Sequence, residues 1–113
     1  MPSISTLQPA LQPWAQWIFR YGQSIDGKLV VTSARRSAAK QADLRLKYLM
    51  GQSPIYAAPV GQSAHQLGWA FDMARIGVNP LDDWLLMWLG KWWAHYGGRF
   101  GGSADPVHFG VRM

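Results

Sequence analysis

The sequence predicts a single α+β domain in which about three helices pack against one small, antiparallel sheet. Stretches with helical apolar spacing alternate with short runs rich in β-branched residues, and glycine and proline separate the two kinds of segment. The chain has 113 residues, which suffices for one hydrophobic core and little more. We therefore interpret residues 1–113 as one domain.

The first half of the chain contains two predicted helices with a strand between them. The first helix covers residues 10–21, where four apolar residues share one face: Leu11, Trp14, Ile18 and Tyr21. A β-branched run at 28–33 predicts a strand. The second helix covers 37–49, with an apolar stripe of Ala38, Ala42, Leu46 and Leu49. The glycine- and proline-rich stretch 51–63 is a long loop, which in a small domain is often functional.

The second half begins with a predicted strand at about 68–73. Asn79 and Pro80 then open a third helix, with Asn79 as the N-cap and Pro80 at the first helical position. Its predicted apolar face is Leu81, Trp84, Leu85, Trp88, Leu89 and Trp92, and Gly97 and Gly98 end it. The glycine-rich tail contains a short predicted strand at 107–111.

The composition restricts the chemistry of any active site. The chain has no cysteine, which excludes disulfides and a thiolate zinc site. It has no glutamate either, so carboxylate chemistry belongs to six aspartates: Asp26, Asp43, Asp72, Asp82, Asp83 and Asp105. A metal site in this protein must be built from histidine and aspartate.

The formal net charge is +5. Such a charge favours an anionic partner, namely nucleic acid, a membrane surface or a polyanionic cell wall, although it also serves solubility alone. Residues 1–25 lack a basic start followed by an apolar run, so we expect synthesis in the cytoplasm without a signal peptide. The apolar stretch at 84–93 is too short to span a bilayer, so no membrane insertion is expected.

Two of the three histidines lie close to aspartates in sequence. His65 precedes Asp72 by seven residues, and Asp105 precedes His108 by three. Two histidines and one carboxylate can hold zinc with one position open, and a second carboxylate can act as a general base. On a straight strand His65 and Asp72 would lie roughly 23 Å apart, so the chain must bend between them, and Gly68 suits that bend. Taken singly, each of these residues is more often a packed or solvated side chain.

Four segments follow one another in the order and spacing of a known family. They are Thr32 to Ser37 with Gln41; Ser63, His65, Gly68, Ala70 and Asp72; Tyr96-Gly97-Gly98; and Asp105 with His108-Phe109. This pattern resembles the VanY-like zinc D-alanyl-D-alanine carboxypeptidases and L-alanyl-D-glutamate peptidases. These are peptidoglycan metallopeptidases that include phage endolysins and are related to VanX.

The resemblance implies one zinc ion per chain, with His65, Asp72 and His108 as its ligands. It implies that Asp105 is the general base and that Arg36, rather than its neighbour Arg35, stabilises the carbonyl oxygen as it becomes negative. It assigns Ser63 and Gln41 to supporting or substrate-positioning roles.

The implied function is hydrolysis of a peptide bond in peptidoglycan stem peptides. The aspartate of the Asp-x-x-His segment and the preceding Gly-Gly favour the endolysin-like L-alanyl-D-glutamate endopeptidases, and D-alanyl-D-alanine carboxypeptidase is the alternative. Gly110 stands where relatives commonly carry glutamate. The implied site of action is the bacterial cell wall, as for a phage lytic enzyme, and we expect a monomer.

A binding module is the alternative of another class. Five basic residues lie close together in sequence, and tryptophan could stack on nucleic-acid bases or cover cell-wall polymers; they are Arg35, Arg36, Lys40, Arg45 and Lys47. A nucleic-acid module would have no use for the ordered histidine and aspartate set, so no nucleic-acid partner is expected. A member of the family that keeps zinc only for structure is a third alternative.

Overall fold

The computed structural model describes residues 3–54, 56–57, 59 and 64–111. Its helices and strands are α1 (Gln12–Ile25), β1 (Leu29–Ser33), α2 (Ala38–Leu49), β2 (Ala70–Arg75), α3 (Trp84–His95), β3 (Arg99–Phe100) and β4 (His108–Gly110). Three helices and a small antiparallel sheet are the predicted architecture, which is confirmed.

The four strands form one sheet in the order β1-β2-β4-β3, and every neighbouring pair is antiparallel. The central strands β2 and β4 pair Phe71 with Phe109 and Asp72 with His108. Because successive residues of a strand point to opposite faces, the two phenylalanines lie on one face and the polar pair on the other.

The hydrophobic core lies on the phenylalanine face, beneath α1 and α3. The Phe71 and Phe109 rings stack with centroids 5.7 Å apart, and Trp93 of α3 meets Phe71 edge-on at 5.5 Å. The remaining large core residues come from both helices and from the strands: Leu11, Ile18, Leu29, Met73, Leu85, Leu86 and Leu89. The opposite face of the sheet is thereby left for the polar residues of β2 and β4.

The third helix differs from the prediction in its start and in its buried face. Asn79 caps a short 3-10 turn, Pro80–Asp82, and α3 begins at Trp84 with Asp83 as its N-cap. Asp83 is buried and pairs with Arg75 at the end of β2 at 2.7 Å, which sets where the helix can begin. The buried face is shifted accordingly, and Trp84 is 60% exposed.

The apolar stripe predicted for α2 is wrong. Leu46 and Leu49 are 55% and 63% exposed, whereas Gln41 is fully buried. The helix turns its polar side inward because Gln41 accepts a hydrogen bond from Arg36 and Arg45 donates one to the carbonyl of Ala57. These polar contacts outweigh the local apolar pattern.

The strand β3 was not predicted, since its two residues lie in the glycine-rich tail. Of the face predicted for the first helix, Leu11 and Ile18 are buried as expected, but Trp14 and Tyr21 are 52% and 36% exposed. Within the described ranges, no helix has both the length and the apolar character needed to cross a lipid bilayer.

Candidate metal centre

Asp72 and His108 come together because they are paired residues of neighbouring strands. Side chains of directly opposed residues on one face of an antiparallel sheet are close enough to share a ligand. The distance from Asp72 Oδ1 to His108 Nδ1 is 3.8 Å. The sheet register alone therefore brings two of the three predicted ligands together.

The third predicted ligand, His65, lies in a tight turn just before β2. Gly68 has a φ of +78°, which favours glycine, and a Cβ on this residue would lie 3.2 Å from the backbone nitrogen of Gln8. Gln8 stabilises the turn with two hydrogen bonds: its backbone N–H donates to the carbonyl of Gly68, and its side-chain amide donates to the carbonyl of Leu67. The predicted bend at Gly68 is confirmed, and it returns His65 to the polar face of the sheet.

The three side chains converge on one point. His65 Nε2 lies 3.0 Å from Asp72 Oδ1 and 3.2 Å from His108 Nδ1. One atom from each residue lies within 4.8 Å of the other two. A tetrahedral zinc ion with bonds of about 2.0–2.1 Å places neighbouring ligand atoms roughly 3.3 Å apart. The observed spacing therefore fits three ligands of one small cation.

The protonation pattern also fits a cation. His65 Nδ1 lies 3.1 Å from the carbonyl oxygen of Ala34, which can accept the N–H of this nitrogen and so leaves Nε2 to face Asp72 Oδ1 at 3.0 Å. Among the described residues, the buried Oδ1 of Asp72 has no hydrogen-bond partner. A backbone carbonyl that orients a histidine in this way is typical of metal ligands.

Arg36 holds the carboxylate of Asp72 from the other side. Its Nη2 lies 2.9 Å from Asp72 Oδ2, its Nη1 donates to Gln41 at 3.2 Å, and its Nε donates to Ser33 at 3.2 Å. Arg35 instead donates to the carbonyl of Gln66 and is exposed. Of the two arginines, Arg36 is the one that faces the site, and Ser33 is a partner that the sequence analysis did not identify.

The surroundings set the charges of the candidate ligands. Burial alone would raise the pKa of Asp72, but His65 and the Arg36 guanidinium outweigh it and lower that pKa below its usual range. Burial lowers the pKa of His108 to about 4. Near pH 7 the site therefore presents a carboxylate and a neutral imidazole, which are the forms that bind metal.

Asp105 lies beside this group but is ionised less readily. Burial raises the pKa of Asp105 to about 6, and the negative charge of Asp72 adds to the rise. Its Oδ1 is buried without a hydrogen-bond partner in the described part of the chain. Its backbone carbonyl accepts from the backbone N–H of His108 at 3.1 Å, in the turn predicted around Pro106. A carboxylate with a pKa near neutrality suits proton transfer.

The site opens into a cleft of about 640 Å³. His65, Asp72, Asp105 and His108 all line it, together with Arg36 and Gln41. Residues of the cleft wall that the sequence analysis missed include Ser53, Tyr56 and Arg99. Of these three residues, Arg99 could have been identified from the sequence, because it directly follows the Gly97-Gly98 segment of the family pattern.

Ser63 and Gly110 were singled out from the sequence, and His95 is the third histidine of the chain. Ser63 lies outside the described residues. His95 is exposed at the end of α3 and contacts the rings of Trp92 and Tyr96, away from the candidate ligands. A Cβ on Gly110 would lie 3.2 Å from His108 Nε2, so a side chain at this position would press on the His108 ring.

No protein-family model matches the sequence, and no curated protein matches it. Solved structures do match the fold. A zinc complex of a variant of the vancomycin-resistance D,D-pentapeptidase VanY has a TM-score of 0.68 and 22% identity, over 93% of this chain and 72% of that one. The L,D-carboxypeptidase DacB of Streptococcus pneumoniae has a TM-score of 0.68 and 22% identity, over 94% and 66%.

A third match cleaves a different bond. The L-Ala D-Glu endopeptidase ChiX of Serratia marcescens has a TM-score of 0.60 and 18% identity, over 96% of this chain and 83% of that one. The chain therefore has the fold shared by these peptidases, as the resemblance predicts. Because the three names give three different activities, the fold by itself does not select a substrate.

Proposed function

We propose that this protein is a zinc-dependent peptidase of the VanY-like family that hydrolyses a peptide bond in peptidoglycan stem peptides. The observation that carries the proposal is the convergence of His65, Asp72 and His108 in one cleft with Asp105. Three Lewis-basic atoms meet there at the spacing that zinc requires, and a carboxylate with a raised pKa stands beside them. The fold and the VanY zinc complex support the choice of metal.

One zinc ion per chain would be held by His65 Nε2, His108 Nδ1 and Asp72 Oδ1. When bound, zinc polarises a carbonyl group and lowers the pKa of a water molecule to about 7. The chain itself supplies the geometry, because the sheet register positions Asp72 and His108 and the Gly68 turn positions His65.

Asp105 is the proposed general base. Its pKa of about 6 leaves it mostly ionised at pH 7, yet close enough to neutrality to return the proton to the departing amine. Asp105 lines the cleft, and its buried Oδ1 has no hydrogen-bond partner among the described residues.

Arg36 is proposed to act at the carbonyl oxygen of the substrate, where a fixed cation stabilises developing negative charge. Its hydrogen bonds to Ser33, Gln41 and Asp72 engage one N–H on each nitrogen. Each terminal nitrogen of a guanidinium carries two N–H bonds, so within the described part of the chain Nη1 and Nη2 each retain one for the substrate. Gln41 is buried and therefore positions Arg36 rather than the substrate.

The favoured bond is the one between L-alanine and D-glutamate. The Asp105-x-x-His108 segment and the Gly97-Gly98 pair support it, and ChiX shows that the fold accommodates such an activity. Arg99 lines the cleft as a cation that can pair with a carboxylate of the glutamate residue. The alternative is D-alanyl-D-alanine carboxypeptidase activity, which the complex of VanYB with D-Ala-D-Ala supports.

The proposal also includes the domain organisation and the place where the protein acts. Residues 1–113 form one catalytic domain that acts on the bacterial cell wall, in the manner of a phage endolysin. The net charge of +5 suits the anionic polymers of the wall.

The test is hydrolysis of purified peptidoglycan by the zinc-loaded protein, with the released peptides identified by mass spectrometry. Free N-terminal D-glutamate would identify the L-alanyl-D-glutamate bond, and release of D-alanine would identify the alternative. Asp105→Asn with full zinc content is the matched control. Absence of any cleaved peptide from the zinc-loaded wild type would refute the proposed function.

A further inference from the structure

A second cavity, which we call the aromatic groove, lies between the start of α1 and the end of α3. Its walls are the rings of Trp14, Trp69, Trp93 and Tyr96, and its volume is about 470 Å³. No charged side chain lies among the described residues that line it. The volume falls within the range of small-molecule sites, and the lining suits a neutral ligand.

The aromatic groove adjoins the cleft that contains the candidate metal ligands. Val111 lines both cavities. Its backbone N–H donates to the carbonyl of Trp69 at 3.2 Å, and Trp69 leads directly into β2, which carries Asp72. The two cavities therefore border each other at Val111.

The rings of the aromatic groove are held in place although two of them are exposed. Trp14 and Tyr96 are 52% and 56% exposed, with ring centroids 6.3 Å apart. Trp17 packs edge-on against both, at 6.3 Å from Trp14 and 5.4 Å from Tyr96. Trp93 is fixed by a 2.7 Å hydrogen bond from its indole to the carbonyl of Gly110. Rings ordered in this way form a platform before any ligand arrives.

We propose that the aromatic groove binds a sugar ring of the glycan strand to which the stem peptide is attached. This inference rests on the proposed function. A pyranose ring presents a face of C–H groups that packs on aromatic rings, while its hydroxyl groups remain toward water at the open side. The uncharged lining disfavours the carboxylates of the peptide, which belong in the cleft near Arg99.

The proposal also bears on the bond that is cut. L-alanine is the stem-peptide residue joined to the amino sugar, so a bond adjacent to it places that sugar beside the cleft. The terminal D-alanine pair lies at the far end of the stem peptide. A sugar bound in the aromatic groove therefore favours cleavage of the bond next to L-alanine over cleavage of the terminal D-alanine pair.

The experiment compares two substrates, a stem peptide that carries its N-acetylated muramic acid and the same peptide without the sugar. We expect the wild type to prefer the sugar-bearing substrate by about tenfold in kcat/KM, which corresponds to about 1.4 kcal/mol. Trp14→Ala and Tyr96→Ala should each abolish most of this preference while leaving hydrolysis of the free peptide unchanged. Trp14→Phe should retain part of it, and Trp84→Ala, which removes an exposed indole elsewhere, should retain all of it.

Equal preference in the wild type and in both alanine variants would overturn the inference while leaving the proposed function intact. If the wild type cleaves neither substrate, the proposed function fails, and the aromatic groove is tested by titration with N-acetylglucosamine oligomers followed by tryptophan fluorescence. Binding that Trp14→Ala removes would then support the sugar site, and absence of binding would overturn it. A concentration-dependent dimer that Trp14→Ala disrupts would assign the aromatic groove to a second copy and would also overturn it.

Discussion

Asp72 of β2 and His108 of β4 are directly opposed in the antiparallel sheet, on the face opposite the stacked rings of Phe71 and Phe109. Backbone pairing therefore sets the distance between two candidate ligands, and the core on the other face holds the strands in register. The third candidate, His65, depends on a glycine turn outside the sheet. The strand pair and the turn can be tested separately.

Replacement of Asp72 by asparagine is expected to remove the metal site with little change in shape. The loss of a ligand should weaken zinc affinity by more than the roughly 10–100-fold that loss of a supporting residue costs. Zinc per chain after dialysis against a competing chelator measures this. His95→Ala is the control, because His95 is exposed and lies away from the candidate ligands. Equal zinc retention by Asp72→Asn and wild type would contradict the assignment.

Gly68→Ala should lower both stability and zinc affinity. Gly68 and Gly77 have φ values of +78° and +80°, so alanine at either position is strained by about 1–2 kcal/mol. Only at Gly68 does the added Cβ also meet the backbone of Gln8, and only this turn carries His65. Thermal unfolding should show a lower Tm for both variants, and zinc titration should show weaker binding for Gly68→Ala alone. Weaker zinc binding by Gly77→Ala to the same extent would argue against a specific role for the Gly68 turn.

Gln41→Leu should reduce activity while zinc remains bound. The variant removes the amide oxygen that accepts from Arg36, and a hydrogen bond to a charged group contributes about 1.5–3 kcal/mol. We expect kcat to fall by roughly 10–100-fold. Gln41→Glu keeps an acceptor and should restore part of kcat, which a purely structural role would not predict. The neighbouring Lys40→Ala, on the exposed side of α2, should have no effect.

Asp105→Asn should make the metal-free protein more stable at high pH. The pKa of Asp105 is raised in the folded state, so the folded protein favours the protonated carboxyl. That stabilisation is fully present below the unfolded pKa of 3.8 and is lost as the pH rises toward about 6. Above pH 6 the wild type keeps a partly buried charge that asparagine avoids.

The measurement is the free energy of unfolding in chelator at pH 4.5 and at pH 8. The advantage of Asp105→Asn should be larger at pH 8, and an equal difference at both pH values would contradict the raised pKa. The same variant, loaded with zinc, should lose about 10²–10⁴-fold in kcat, as expected for removal of a general base.

Arg99→Gln should weaken binding of an acidic substrate without slowing the chemical step. Arg99 lines the cleft but is exposed, so its contribution should resemble an exposed ion pair of about 0.2–1 kcal/mol. We expect KM to rise up to about fivefold, kcat to stay constant, and the salt dependence of KM to decrease. A substrate with its glutamate carboxylate amidated should show no difference between variant and wild type. Arg20→Gln, an exposed arginine of α1, is the control.

Several features followed from the sequence because they depend on local patterns or on residue chemistry. The spacing of apolar residues predicted the three helices, and β-branched runs and flanking turns predicted the strands other than β3. The bend at Gly68 was predicted because His65 and Asp72 would lie too far apart on a straight strand to bind one metal ion. The absence of cysteine and glutamate reduced the possible metal ligands to a few residues. The family resemblance predicted His65, Asp72 and His108 as ligands of one zinc ion, and in the structure one atom from each lies within 4.8 Å of the other two.

The tertiary structure alone decided which face of α2 points inward and where α3 begins. The exposed Leu46 and Leu49 and the buried Gln41 reverse the pattern of α2, because the contact between Gln41 and Arg36 serves the cleft rather than the core. The pairing of Asp83 with Arg75 likewise moved the start of α3. Local periodicity records the average preference of a segment, whereas such contacts depend on residues far apart in sequence. For the same reason, the aromatic groove beside the cleft could be found only once α1, β2 and α3 had been placed together.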